Sequence, residues 1–128
     1  MKFSQNKVKY SIFFIAIVVA ILFSVYKNSY EDTSGKLDTF ASCLKDKGAV
    51  FYGAFWCPHC QAEKRDFGSS KKFLSYVECS TSDMKQTQIC KDKNIAAYPT
   101  WTFADGSIEK GEVSLETLAV KTGCVLPK

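Results

Sequence analysis

The apolar run "AVFYGAF", residues 49–55, stops at Trp56-Cys57 and passes at once into Pro58 and the helical stretch "HCQAEKRDF". A short run of β-formers that is apolar at successive positions predicts a buried strand. Proline suits the first turn of a helix. The residue types therefore place a strand-to-helix junction at 56–58, and that junction carries two cysteines, Cys57 and Cys60, with Pro58 and His59 between them. Such a pair can trade electrons, hold a metal or staple the fold.

The remaining elements follow from periodicity and punctuation. "KLDTFASCLKDKG" spaces Leu37, Phe40, Ala41 and Leu44 as a helix that Gly48 stops. Gly68-Ser69-Ser70 closes the helix that starts at Pro58, and "FLSYVEC", 73–79, reads as a second strand. Ser80 and Asp83 have the spacing of a capping box for a helix through "DMKQTQICKDKN". "TWTFADGSIEKGEV", 100–113, is a hairpin turning at Asp105-Gly106, and "SLETLAVKTG", 114–123, a final helix that Gly123 ends. The order is α-β-α-β-α-β-β-α, an α/β chain. Its first two strands are joined by a helix and are expected to be parallel with a right-handed crossover, and its last two antiparallel.

Length and charge bound the rest. With 128 residues the chain has room for one globular domain. Three of its 17 basic side chains, Lys2, Lys7 and Lys9, precede the first apolar segment, leaving 14 against 13 acidic ones. A near-neutral domain lacks the basic face of a nucleic-acid binder. Tyr10–Tyr26 is a 17-residue uncharged run, at the short end for a membrane-spanning helix. Lysines before it predict a cytoplasmic N-terminus and an exported C-terminal domain. A cleaved signal peptide has the same charge pattern, but Val18-Val19-Ala20 is a poor small-x-small site. The expected organisation is a cytoplasmic basic N-terminus at 1–9, a transmembrane anchor or signal-anchor at 10–26, a linker at 27–35 and a folded domain at 36–128. The expected localisation is the cell membrane, single-pass, with the domain on the periplasmic or cell-surface side. Six cysteines suit an oxidising compartment.

A helix N-terminus presents unpaired N–H groups and a partial positive charge, both of which favour a thiolate. The pKa of Cys57 is therefore expected to be depressed. His59 adds a donor or a positive charge, although a lone histidine can also be a plain surface residue. Stabilising the thiolate stabilises the reduced form and makes the disulfide a stronger oxidant. Cys57 is then the nucleophile and Cys60 the resolving thiol. Pro99 in "AAYPT" precedes a strand, where proline is disfavoured; a cis Tyr98–Pro99 bond would explain its place, and an ordinary trans turn proline is the alternative.

The order of elements, "FWCPHC" after the first strand and "YPT" before the hairpin resemble the thioredoxin family over residues 36–123. The resemblance implies a thioredoxin fold, a central mixed sheet flanked by helices, here preceded by one N-terminal transmembrane helix. Its cis-proline loop lies beside the C-x-x-C pair and binds extended substrates. The residues carried over are Trp56, Cys57, Pro58, His59 and Cys60, with Tyr98 and Pro99 on the substrate side and Trp56, Pro58 and His59 tuning the potential. "FYGAFWCPHCQAEKRDFG", "YVECS" and "YPTW" are similar, more closely, to the thioredoxin-like domain fused to or working with bacterial homologues of vitamin K epoxide reductase. This implies disulfide formation outside the cytoplasm, with electrons passing from substrate protein thiols through Cys57–Cys60 to a membrane reductase and a quinone. The sequence departs from ordinary thioredoxin at Phe51, where a buried acid usually stands six residues before the first motif cysteine, and in its Pro-His dipeptide.

The closer subgroup also carries a cysteine pair at the place of Cys79 and Cys90, which implies a structural disulfide there, with a second redox pair as the alternative. Cys43 and Cys124 are left over. They either pair and tie the ends of the domain, or stay as two thiols, or bond another molecule. The resemblance counts against pairing, because the first and last helices of that fold pack on opposite faces of the sheet. No cofactor and no metal are expected, although Cys57, Cys60, Cys79 and Cys90 could offer four thiolates to zinc. The alternatives to an oxidant are a disulfide reductase or isomerase in the same compartment, and a non-catalytic binding module stapled by its cysteines.

Overall fold

The computed structural model describes residues 5–29 and 35–128, with side chains from residue 9 to 24 and from 35 onward. The chain divides into two compact units, Met1–Asp32 and Thr33–Lys128. The first holds helix α1 (Gln5–Ser29), whose described side chains are all exposed. Among the described residues no helix is long and apolar enough to cross a membrane. The end of the expected 10–26 span, and the 27–35 linker apart from Gly35, lie outside the residues whose side chains are described.

The second unit runs α2 (Asp38–Asp46), β1 (Val50–Gly53), α3 (Pro58–Asp66), a 3-10 turn (Gly68–Phe73), β2 (Tyr76–Glu78), α4 (Gln88–Asp92), β3 (Thr100–Thr102), β4 (Ile108–Lys110) and α5 (Leu115–Thr122). The four strands form one mixed sheet in the order β2-β1-β3-β4. β1 pairs parallel with β2, Phe51 opposite Tyr76 and Gly53 opposite Glu78. It pairs antiparallel with β3, Phe51 opposite Trp101, and β3–β4 is the antiparallel hairpin. Helices on a mixed sheet fit a thioredoxin-like fold.

β1 is apolar at successive positions because both its faces are covered. Phe51 packs into the larger core with Phe40, Leu44, Phe67, Trp101 and Leu118, whereas Tyr52 joins a second cluster with Cys79, Cys90 and Ile95. The Phe51 and Trp101 rings stack at 5.0 Å between centroids. α2 ends where Gly48, at φ +78°, bends the chain and its N–H bonds the Lys45 carbonyl. Gly123 does the same for α5 at φ +71°.

Two elements differ from expectation. β2 begins at Tyr76 rather than residue 73, since the 3-10 turn extends through Phe73 and Leu74 donates to the Lys71 carbonyl. The helix expected from Asp83 begins only at Gln88. In its place 80–86 folds back on itself: Ser80 and Gln86 form an antiparallel bridge, and Thr81 Oγ1 accepts the Lys85 N–H at 3.0 Å. Ser, Thr and Asp side chains bond nearby backbone as readily in a turn as at a helix start. Here the turn satisfies them, with Met84 at φ +62°.

Candidate functional site

Cys57 is the N-cap of α3 and Pro58 opens the helix. The Cys57 sulfur accepts the Cys60 N–H at 3.4 Å, one of the donors that a helix start leaves without a partner. It also lies 3.7 Å from the Tyr98 carbonyl. The Tyr98–Pro99 peptide is cis, and the Pro99 carbonyl accepts the Gly111 N–H at 2.8 Å, which ties the loop to the end of β4. Cys57 and the loop before β3 are thus brought together. Cys57 is 5% exposed, at the edge of the surface, and Cys60 is fully buried beneath it. Both thiols are free.

Burial pushes the Cys60 thiol up to about 12, and the hydrogen-bonded Cys57 adds to the rise, while a backbone hydrogen bond from Ala54 and the Lys64 charge pull the other way. The two thiols therefore differ in setting: one at a helix head near solvent, the other enclosed.

Trp56 is 44% exposed, donates its indole N–H to Ser80 Oγ at 2.8 Å and meets the Tyr98 ring edge-on. With Tyr98, Ser80 and Lys85 it lines a cleft of about 280 Å³. The His59 ring Nδ1 contacts Glu112 Oε1 at 2.5 Å, and the side chain is 70% exposed.

The other four cysteines form two disulfides. Cys79–Cys90 links the end of β2 to α4, and Cys43–Cys124 spans 81 residues of sequence. The second corrects the expectation that opposed helix faces count against pairing. Cys124 lies past Gly123, whose left-handed turn ends α5, so it is the tail that reaches α2. With Cys79 and Cys90 bonded to each other, a four-thiolate set for zinc is not present among the cysteines.

Several residues around the pair carry no signature in the sequence. Glu63 is buried in the core, where it accepts the Trp101 indole N–H at 2.6 Å and the Val113 N–H at 3.2 Å; its other oxygen has no partner. Burial raises its pKa to about 7 against the pull of those two donors. Its one signal is position: Cys60, Glu63 and Phe67 fall on one helical face, the inward one. Tyr76 and Glu78 face the site from β2, and Gly53 from β1.

No protein-family model matches the chain. The chain is 43% identical over 88 residues to the thiol-disulfide oxidoreductase LTO1 of Arabidopsis thaliana, a match covering 65% of this chain and 23% of that protein. The chain thus spans about a quarter of that relative's length. Over the matched residues the chain is similar to a thiol–disulfide oxidoreductase, and it combines a mixed α/β fold with two free thiols at the head of α3.

Proposed function

We propose that this chain is an extracytoplasmic, membrane-anchored oxidant of protein thiols that works through a Cys57–Cys60 disulfide. The observation that carries the reading is the Cys57 sulfur, held at the head of α3 by the Cys60 N–H and set against the Tyr98 carbonyl before a cis proline. A substrate thiolate attacks Cys57, the Cys57–Cys60 bond breaks, and Cys60 leaves with the electron pair. A second substrate thiolate then attacks the substrate sulfur of the mixed disulfide and expels Cys57. The substrate has lost two electrons and the protein holds them as two thiols. A membrane quinone-linked protein, of the kind of the bacterial vitamin K epoxide reductase homologues, reoxidises the pair. Tyr98 and Pro99 present the extended substrate chain, and Trp56, Pro58 and His59 tune the pair. Tyr10–Tyr26 is the anchor that keeps the domain beside its partner.

The reduction potential of the Cys57–Cys60 pair tests the direction. The full chain, in detergent, is equilibrated in glutathione buffers. The expected value is about −180 mV or higher, in the range of isomerases and strong oxidants. A value near −270 mV, roughly that of thioredoxin, would make the protein a reductant instead. His59→Ala is expected to lower the potential; an unchanged value would remove His59 from the tuning.

A further inference from the structure

In either direction of exchange the Cys60 sulfur must pass between thiol and thiolate. Cys60 is fully buried, and burial pushes its pKa to about 12, so at neutral pH it does not ionise unaided. A group near it must take and return its proton.

The titratable groups facing Cys60 are Cys57 and Lys64 on α3 and Tyr76 on β2, with Glu78 behind Tyr76; β1 offers Gly53 and the Ala54 backbone. A Cβ built on Gly53 would lie 3.1 Å from Cys60 Sγ, 3.0 Å from Tyr76 Cε2 and 3.3 Å from the Tyr76 hydroxyl. Thiol and phenol therefore line one small space, which exists because residue 53 has no side chain. The phenol donates to Glu78 Oε2 at 2.8 Å. Glu78 Oε1 accepts the N–H groups of Phe55 at 3.1 Å and Ser80 at 3.0 Å. Three donors thus fix the carboxylate. Burial, and then the bond to Glu78, hold the Tyr76 phenol protonated well above its usual range, so it can relay a proton but not keep one off. The Lys64 amine sits 3.4 Å from the centre of the Tyr76 ring; burial lowers its pKa, against the opposing pull of the Glu78 and Cys60 charges. Lys64, Lys71 and Tyr76 line a cleft of about 340 Å³, and Lys71 is exposed, so this side of Tyr76 can exchange protons with water.

We infer that Glu78, acting through the Tyr76 hydroxyl, accepts and returns the Cys60 proton during thiol–disulfide exchange. The inference rests on the exchange reading above. When Cys60 resolves a mixed disulfide, its proton passes by way of the phenol to Glu78. The Cys60 sulfur bonds Cys57, the bond from Cys57 to the substrate sulfur breaks, and the substrate leaves as a thiolate that is protonated by water. In the opposite direction Cys60 leaves Cys57 with the electron pair and recovers its proton from Glu78. The only oxidant in either step is the disulfide itself.

The test uses the full chain in detergent, reduced at Cys57 and Cys60 and mixed rapidly with oxidised glutathione. Two steps are followed from pH 6 to pH 9: capture of glutathione by Cys57, and its release by Cys60. Glu78→Gln keeps an oxygen for the Phe55 and Ser80 N–H groups and removes only the base. Tyr76→Phe keeps the ring and removes the relay. In Glu78→Gln, release is expected to slow about 10²-fold at neutral pH and then to climb with hydroxide, so that the gap to the unmodified chain narrows as pH rises. Capture by Cys57 should change little. Tyr76→Phe should slow release in the same sense by a smaller factor. A release profile unchanged in both variants overturns the inference while leaving the exchange reading intact. An unmodified chain that captures no glutathione overturns the exchange reading, and this inference with it.

Discussion

β1 has a cysteine pair on each side, and the two pairs have opposite fates. Cys57 and Cys60 belong to the cluster that receives Phe51, and both are free thiols; Cys79 and Cys90 belong to the cluster that receives Tyr52, and they are bonded. Burial does not separate them, since all four are at most 5% exposed. What separates them is the backbone that each pair serves. Cys57 caps and Cys60 lies on a nine-residue helix, whose start offers the Cys57 sulfur an N–H. Cys79 and Cys90 flank the polar fold-back at 80–86, where Met84 and Lys85 face solvent and little apolar surface holds the segment down. A crosslink there supplies order that packing does not. One side carries chemistry and the other carries constraint.

The largest expected effect breaks that contrast on the chemical side. Cys57→Ser should reduce exchange with a thiol peptide to background while unfolding stays where it was. Replacing Cys79 and Cys90 together by Ala should do the reverse, leaving exchange within a few-fold. In denaturant titrations the double variant should lose roughly 3 kcal/mol, and removal of Cys43 and Cys124 about 4.5 kcal/mol because its loop is longer. If exchange fell with Cys79 and Cys90 rather than with Cys57, the two sides would have to trade roles.

The next effect lies in the core beneath α3. Glu63 has its pKa raised to about 7 from an ordinary 4.5. The folded state therefore binds more protons than the unfolded state between those values, and stability is greatest below about pH 4.5 and falls as pH rises through about 7. The shift corresponds to about 3 kcal/mol. Glu63→Gln should flatten this slope, so that its denaturation midpoint changes less between pH 5 and pH 8 than that of the unmodified chain. An equally steep slope in the variant would place the titration elsewhere.

The smallest effect sharpens the comparison at the boundary between the two sides. Ser80, on the fold-back, accepts the Trp56 indole N–H at 2.8 Å. Ser80→Ala should cost about 1 kcal/mol in thermal unfolding and free the Trp56 ring, which tryptophan fluorescence would report. No change in that fluorescence would mean that the constrained side does not steady the exchanging one.

The element order was legible because local chemistry writes it. The run 49–55 had to be buried, Pro58 opens a helix, and Gly48, Asp105-Gly106 and Gly123 stand where the chain turns. The fold-back at 80–86 has the Ser80–Asp83 spacing of a helix start, but Thr81 Oγ1 accepts the Lys85 N–H and Asp83 accepts the Thr81 hydroxyl, so a turn satisfies these side chains instead. The cysteine pair and the Tyr98-Pro99 loop could be named from their spacing. Their surroundings could not, since Glu63 meets Trp101 across 38 residues and Val113 across 50. The space shared by Cys60 and Tyr76 likewise depends on the parallel register of β1 and β2, which sets Gly53 opposite Glu78. The pairing of Cys43 with Cys124 is not legible in the sequence, because it depends on the path of a tail after the last helix.

The measurement that meets the central claim most directly is trapping on the full chain in detergent. Cys60→Ser removes the resolving thiol, so any mixed disulfide formed with oxidised glutathione should persist through digestion without reductant and be located by mass. The account predicts one adduct, on Cys57, with Cys79–Cys90 and Cys43–Cys124 intact. No adduct, or an adduct on any of those four cysteines in place of Cys57, would contradict it.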